Sequence, residues 1–562
     1  MCPAPLTIKK ERKYNIMAHL QAPLAISTNT LVTIPFLLVF FGLMIYVGFY
    51  CRRHATDVNQ FVLGGRSVGP WLTAFAFGTS YFSAVIFVGY AGQFGWNFGL
   101  ASTWIGLGNA FIGSLLAWSI LGRRTRIMTQ AIGSRTMPDF FEKRYDSKRL
   151  KIAASVIVFV FLIPYTASLY NGLSGLFNAV FNVPYWAIVI VMAALTGVYV
   201  IFGGYMATAI NDFIQGIIML AGIVAVILAV LHDNGGLMEA VKNLSLVPSP
   251  YPESAGQAGA FASFFGTQPL YLVVVVLLTS LGTWGLPQMV GKFYSIKNED
   301  SIKKGTVIST IFAIIVAGGC YFLGGFGRLY ANNTGIYKDG IVGGVVMNDR
   351  IVPTMLSSLP AIIVAVVIVL VLSASMSTLS SLALTSSSTL ALDVLLPFIN
   401  RKGKKVDEKK SVLLMRLLIV FFVALSAVIA ILKDSIWADS VFIAQMMGIS
   451  WGALAGAFLA PFLYGLYSKK ISKVAVAVCF VFGTGLEIVQ LLKSMGVLKI
   501  TGGFFGFIFT NSLYSGVFAM VGGLVLVPLV SLFTKRFIPK SVNETFTCFD
   551  HSVTTDITDS LG

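Results

Sequence analysis

The sequence predicts an all-α integral membrane protein of about thirteen transmembrane helices, two of them broken. Composition points there first: the 562-residue chain is 56% hydrophobic and 11% charged, with a mean hydropathy of +0.83. A soluble chain of this length carries roughly 25% charged residues to cover its surface. Apolar runs of about 20 residues, long enough to span a ~30 Å hydrocarbon layer as helix, recur along the sequence. Lys and Arg also gather in alternate connections between these runs.

In chain order the apolar runs lie at 30–51, 69–95, 100–121, 152–181, 184–206, 208–231, 268–290, 305–329, 353–397, 412–432, 437–466, 474–492 and 511–534. The ninth exceeds one simple crossing, so its end is expected to continue into the cytoplasm. Three parts result: an extracellular N-terminal segment 1–29, a transmembrane domain 30–534, and a polar cytoplasmic tail 535–562, read as an unstructured end.

Thirteen crossings place the termini on opposite sides of a cell membrane. With the C-terminus cytoplasmic and the N-terminus outside, the inner connections are 52–68, 122–151, 291–304, 400–411, 467–473 and the tail. They hold 28 of the 40 Lys and Arg residues, as the positive-inside bias requires. Lys9, Lys10, Arg12 and Lys13 disagree, unless Met17 is the start. The net charge of +17 thus follows from topology, and no nucleic-acid partner is implied. Five scattered cysteines give no disulfide framework or metal cluster. The four histidines fall outside the apolar runs or at their ends, which argues against haem ligation or a histidine proton relay.

Polar and small residues interrupt the pattern at three places, where function is sought. The second run contains Gly78-Thr79-Ser80-Tyr81-Phe82-Ser83. An unwound turn there would free carbonyl oxygens, and such a break survives only beside an enclosed cavity; small-residue helix packing is the alternative. The seventh run contains Thr279-Ser280-Leu281-Gly282-Thr283-Trp284-Gly285-Leu286-Pro287-Gln288, in which the proline removes a helix donor. Interrupted helices at corresponding positions of two halves point to a transporter binding site, and these two runs are five apart, as an inverted five-plus-five repeat demands.

The ninth run carries eleven hydroxyls between Ser373 and Thr389. Ala374, Ser377, Thr378 and Ser381 share one helical face. Hydroxyls on that face, beside carbonyls freed at the second-run break, would make a cage of hard neutral oxygens suited to Na⁺. Asp212 could complete a second cation site near Ser377, Ser380 and Ser381; a helix cap is its alternative. Glu487 is read as structural or interfacial, Asp393 as solvated, and no Lys or Arg as deep within a span.

Three motifs, Phe61-Val62-Leu63-Gly64-Gly65-Arg66-Ser67, Gly203-Gly204 with Asp212 and Gln215, and Met376-Ser377-Thr378-Leu379-Ser380, together resemble the sodium:solute symporter family over about Leu31 to Phe533. The resemblance is nearest to its bacterial proline carriers, with pantothenate carriers close by. It implies thirteen helices with a leucine-transporter-like inverted repeat over helices two to six and seven to eleven. It implies a sodium site from the Thr79, Phe82 and Ala374 carbonyls and the Ser377 and Thr378 hydroxyls. Some members hold a second sodium at positions matching Asp212, Ser377, Ser380 and Ser381. Ser83, Tyr165, Trp284 and Pro287 become candidate substrate contacts. Against the proline carriers, Tyr81 replaces an Asp, and Thr279 and Thr283 replace a Trp and a Tyr.

The expected activity is therefore secondary transport that couples inward sodium movement to uptake of a small organic solute: an amino acid such as proline, a monocarboxylate, or pantothenate. Na⁺, the solute and the bilayer are the partners. A proton-coupled carrier, or a non-transporting sensor or channel on the same fold, is the alternative. No phosphate loop or metal cluster supports an enzyme.

Overall fold

The computed structural model describes residues 28–181, 183–338, 340–400, 406–436 and 443–551. The expected N-terminal segment, apart from its last two residues, lies outside these, as do 437–442 and the final eleven residues. The described residues are helical apart from turns and two isolated β-bridges, Val68 with Ile296 and Tyr337 with Val346.

The elements that position the site are α1 (Thr28–Cys51), α2 (Pro70–Tyr81), α3 (Ala91–Phe98), α4 (Lys148–Phe181), α5 (Tyr185–Asp233), α6 (Pro269–Leu281), α7 (Pro287–Tyr294), α8 (Glu299–Ala313), α9 (Ala361–Thr389), α10 (Glu408–Ile436), α11 (Ile443–Tyr467), α12 (Lys473–Ser494) and α13 (Ser512–Phe533). Large apolar side chains such as Leu38, Val39, Val481 and Val525 stand exposed on the outer face. Such a surface suits hydrocarbon and would be a liability in water.

Among the described residues, ten helices are long and apolar enough to cross a membrane, and a bent pair, Pro269–Gly285 with Pro287–Tyr294, adds another. Two of the ten, Val85–Ala131 and α5, run to 47 and 49 residues, about 70 Å if straight. Neither is straight. From Gly203, packed on Cys51, α5 runs back to Tyr199 beside Gly48 and onward to Asn211, whose amide donates to the Met44 carbonyl. Both arms therefore lie along α1, and the chain doubles back at Gly204. There φ is +55°, and a Cβ would fall 2.8 Å from the Phe61 carbonyl. Glycine is the residue that meets both demands. The same folding back occurs at Gly99 (φ +63°): Ile86 and Ala91 lie by Cys320 and Gly324, then Ser102 and Gly106 by Tyr321 and Gly318. Dividing both long helices gives thirteen crossings among the described residues.

The second and seventh crossings are the broken ones. α2 stops where Phe82 turns extended (φ −85°, ψ 115°). α6 passes through a short 3-10 turn, Gly282–Gly285, to Leu286 (φ −85°, ψ 119°), and the helix resumes at a 47° bend. The two breaks share one backbone conformation five crossings apart, as the two halves of an inverted repeat require.

At the Lys- and Arg-rich end, the connections are tied to one another. Lys151 pairs with Asp139 at 2.9 Å, Glu142 at 2.8 Å and Asp393 at 3.5 Å, and Arg144 donates to the Gly465 and Ser468 carbonyls. Asp393 is therefore not solvated as expected. It is 3% exposed, because the helix continues past α9 to Asn400 and carries the carboxylate under Lys151 and the Thr136 hydroxyl. In Asp139 burial pushes the carboxyl upward, but Lys151 and Lys143 together outweigh it and hold the group below the usual carboxylate range. In the tail, Val542–Phe546 and Cys548–His551 are helical, with Phe546 buried under the Arg144 guanidinium.

Candidate functional site

The break at Phe82 leaves the Thr79 and Phe82 carbonyls without helical partners, and α9 supplies what they meet. Ser377 Oγ donates to the Thr79 carbonyl at 3.0 Å and lies 3.1 Å from that of Ala374. Thr378 Oγ1 lies 3.3 Å from both the Thr79 and Phe82 carbonyls and 3.1 Å from Ala374. The Thr79 hydroxyl turns back to Phe75, so Thr79 offers its carbonyl alone. All five residues are buried. The five expected first-site residues thus form one oxygen cluster between chain segments 298 residues apart. A hard cation held about 2.4 Å from oxygen ligands spaces neighbouring oxygens roughly 3.4 Å apart, so the cluster could take an alkali ion with little movement.

The expected second group is assembled differently. Asp212 and Ser381 come together, but a lysine stands between them: Lys292 Nζ is 3.4 Å from Asp212 Oδ2 and donates to Ser381 Oγ at 3.1 Å. The Tyr205 ring covers the ammonium at 5.2 Å. Ser380 spends its hydroxyl on the Ser377 carbonyl, as serines within helices commonly do, and Ser377 faces Thr79. Lys292 is 3% exposed and Asp212 fully buried. This corrects the expectation that no Lys or Arg lies deep in a span. The seventh apolar run was read as ending at 290, whereas α7 continues through Phe293 and Tyr294. That extra turn places Gln288 and Lys292 on one face, lining a cavity of about 50 Å³ with Pro287, Ser381 and, at the basic end, Arg135 and Thr136.

The candidate substrate residues have separate surroundings. The Tyr165 hydroxyl lies toward Ser83 and the Trp451 indole without a hydrogen bond to either, and the Tyr165 and Trp451 rings meet edge to face at 6.0 Å. These buried, unpaired polar atoms sit directly after the first break. Trp284 instead anchors its indole N–H on the Ile112 carbonyl at 3.0 Å, and Pro287 lines the Lys292 cavity. Trp451 was not singled out from sequence. Its place in an eleventh run rich in small residues resembles ordinary packing, and only the fold brings it to Tyr165.

Of the motifs, Phe61–Ser67 works at the basic end. Arg66 donates to the Thr129, Ser134 and Tyr294 carbonyls, joining the connection after α1 to the end of α7. Glu487 is buried against Gly452 with both oxygens lacking a hydrogen-bond partner.

Two broken helices, with an oxygen cluster at one and a buried ion pair beside the other, suit a membrane carrier. Its family follows from comparison. The sodium:solute symporter family profile matches residues 61–483, and the chain belongs to that family. It is similar to the osmoregulated proline transporter OpuE of Bacillus subtilis, 27% identical over 511 residues covering 89% of this chain and 94% of that one. It is also similar to a sodium/proline symporter of Staphylococcus aureus, 28% identical over 516 residues covering 90% and 94%. A solved Na⁺-coupled sialic acid symporter, substrate-bound and outward-open, shares the fold with a TM-score of 0.71 at 15% identity, over 89% of this chain and 97% of that one. The protein is a multi-pass membrane transporter, not an enzyme, and its activity is sodium-coupled uptake of a solute.

Proposed function

We propose that the coupling sodium binds among Thr79, Phe82, Ala374, Ser377 and Thr378, and that the solute binds next to it against Ser83, Tyr165 and Trp451. The observation that carries this is the meeting of the Thr79 and Phe82 carbonyls with the Ser377 and Thr378 hydroxyls at 3.0–3.3 Å. Neutral oxygens bind sodium without an opposing charge, so the ion can leave again. Filling the cluster clamps α9 onto the break in α2, and Ser83 is one residue beyond that break. Sodium therefore orders the wall that the solute touches.

The solute is a small amino acid of the proline type. Support comes from the named substrates of the similar carriers and from the aromatic edge of Tyr165 and Trp451 beside a free hydroxyl, which suits a compact ring with a polar end. The basic end faces the cytoplasm, with the C-terminus inside and the N-terminus outside, and the inward sodium gradient drives uptake inward.

Purified protein in proteoliposomes tests this. An inward sodium gradient should drive proline uptake, choline in place of sodium should abolish it, and pantothenate or a monocarboxylate should compete poorly. Better competition by either would reassign the solute.

A further inference from the structure

Lys292 puts a positive charge where the expected second sodium would have to sit. An ammonium has three donors and no acceptor, and this one is directed at Asp212 Oδ2 and Ser381 Oγ, the two members of that group that meet. A sodium ion drawn to the same two oxygens would sit close against the ammonium, a like-charge contact that burial makes costly. A buried carboxylate also requires about one compensating charge, and Lys292 already supplies it. The cavity below adds Arg135 as the other charged member of its lining, so a further mobile cation would enter a site already carrying excess positive charge. Asp212 Oδ1 remains buried with no hydrogen-bond partner, an acceptor that a sodium ion could use once the ammonium is removed.

We propose that the Lys292 ammonium is a tethered cation occupying the second cation position of Asp212 and Ser381, that each chain therefore binds one sodium ion, and that removing the ammonium opens that position to a second one. The count of one rests on the five-oxygen site being the sodium site. Ser381 also contacts the Ser80 hydroxyl at 3.0 Å, next to Thr79, so the tethered charge is wired to the wall of that site.

The test is equilibrium binding of radiolabelled sodium to the purified full-length chain, which needs no knowledge of the solute. Wild type should bind one ion, Lys292→Met two, and Lys292→Met with Asp212→Asn one again. Two ions in wild type, or one in Lys292→Met, would overturn the proposal. If Lys292→Met does not fold, Thr378→Ala in the wild-type background decides: the single site should weaken roughly 10- to 100-fold, whereas a wild type of two that keeps one site at wild-type affinity places the second ion beside Lys292 and ends the idea. A wild type of one that Thr378→Ala leaves unchanged would place the ion outside the five-oxygen site: if Asp212→Asn then abolishes it the tethered cation falls, and if Asp212→Asn leaves it only the five-oxygen assignment does.

Discussion

The breaks at Phe82 and Leu286 have the same backbone and opposite chemistry. Phe82 stands at φ −85°, ψ 115° and Leu286 at φ −85°, ψ 119°. At the first, freed carbonyls face a hydroxyl-bearing helix without a charged side chain among the five oxygens. At the second, Trp284 ties the turn to Ile112, and the helix that follows brings a lysine to a buried carboxylate. Repetition of a fold copies geometry; the side chains decide which copy can exchange an ion with water. A neutral cage releases its cation, whereas an ion pair between two covalently attached charges does not. On the proposed assignment, one break is built for a mobile ion and the other for a fixed one.

The largest effect that would test this division is at the fixed charge. Asp212→Asn leaves the Lys292 ammonium buried without its counter-charge, which costs about 3–5 kcal/mol, while the double variant Asp212→Asn with Lys292→Met removes both charges and should recover most of that. Thermal unfolding of purified protein in sodium-free detergent would show it. An Asp212→Asn protein as stable as wild type would mean that water reaches Lys292, and the contrast between the two breaks would fade.

At the mobile site the effect should be smaller and specific to sodium. Thr378→Ala removes one oxygen from the cluster, and losing a polar contact to a charge is worth about 1.5–3 kcal/mol. The half-saturating sodium concentration for uptake should therefore rise roughly 10- to 100-fold, since each 1.4 kcal/mol is tenfold. Unchanged sodium dependence in a well-expressed variant would break the assignment.

Much of this architecture is legible in the sequence, for reasons that differ by residue. Apolar runs report crossings because the bilayer admits few alternatives. Glycines and hydroxyls in mid-run report the breaks, since nothing else stabilises them there. The hydroxyl face of α9 is visible because helical spacing is fixed, and all five oxygens came together. Lys292 was hidden because a charge ends an apolar run by hydropathy, and its burial depends on Asp212 approaching from 80 residues away. Asp393 was hidden likewise, since Lys151 reaches it only through tertiary packing. Isolated residues whose partners lie on distant helices cannot be read from spacing. Trp451 belongs with them.

The smallest predicted effect concerns Trp284, and it separates structure from transport at the second break. Its indole N–H bond to Ile112 closes the turn against the third crossing, and Trp284→Phe keeps the ring packing while removing the donor. Losing one such hydrogen bond costs about 0.5–1.5 kcal/mol, which should appear as a modest fall in thermal stability. Because the oxygen cluster is built from α2 and α9, the half-saturating sodium concentration should stay at the wild-type value. A shift comparable to that of Thr378→Ala would mean that the second break transmits its geometry to the first. The two would then work as one coupled joint rather than as a mobile and a fixed half.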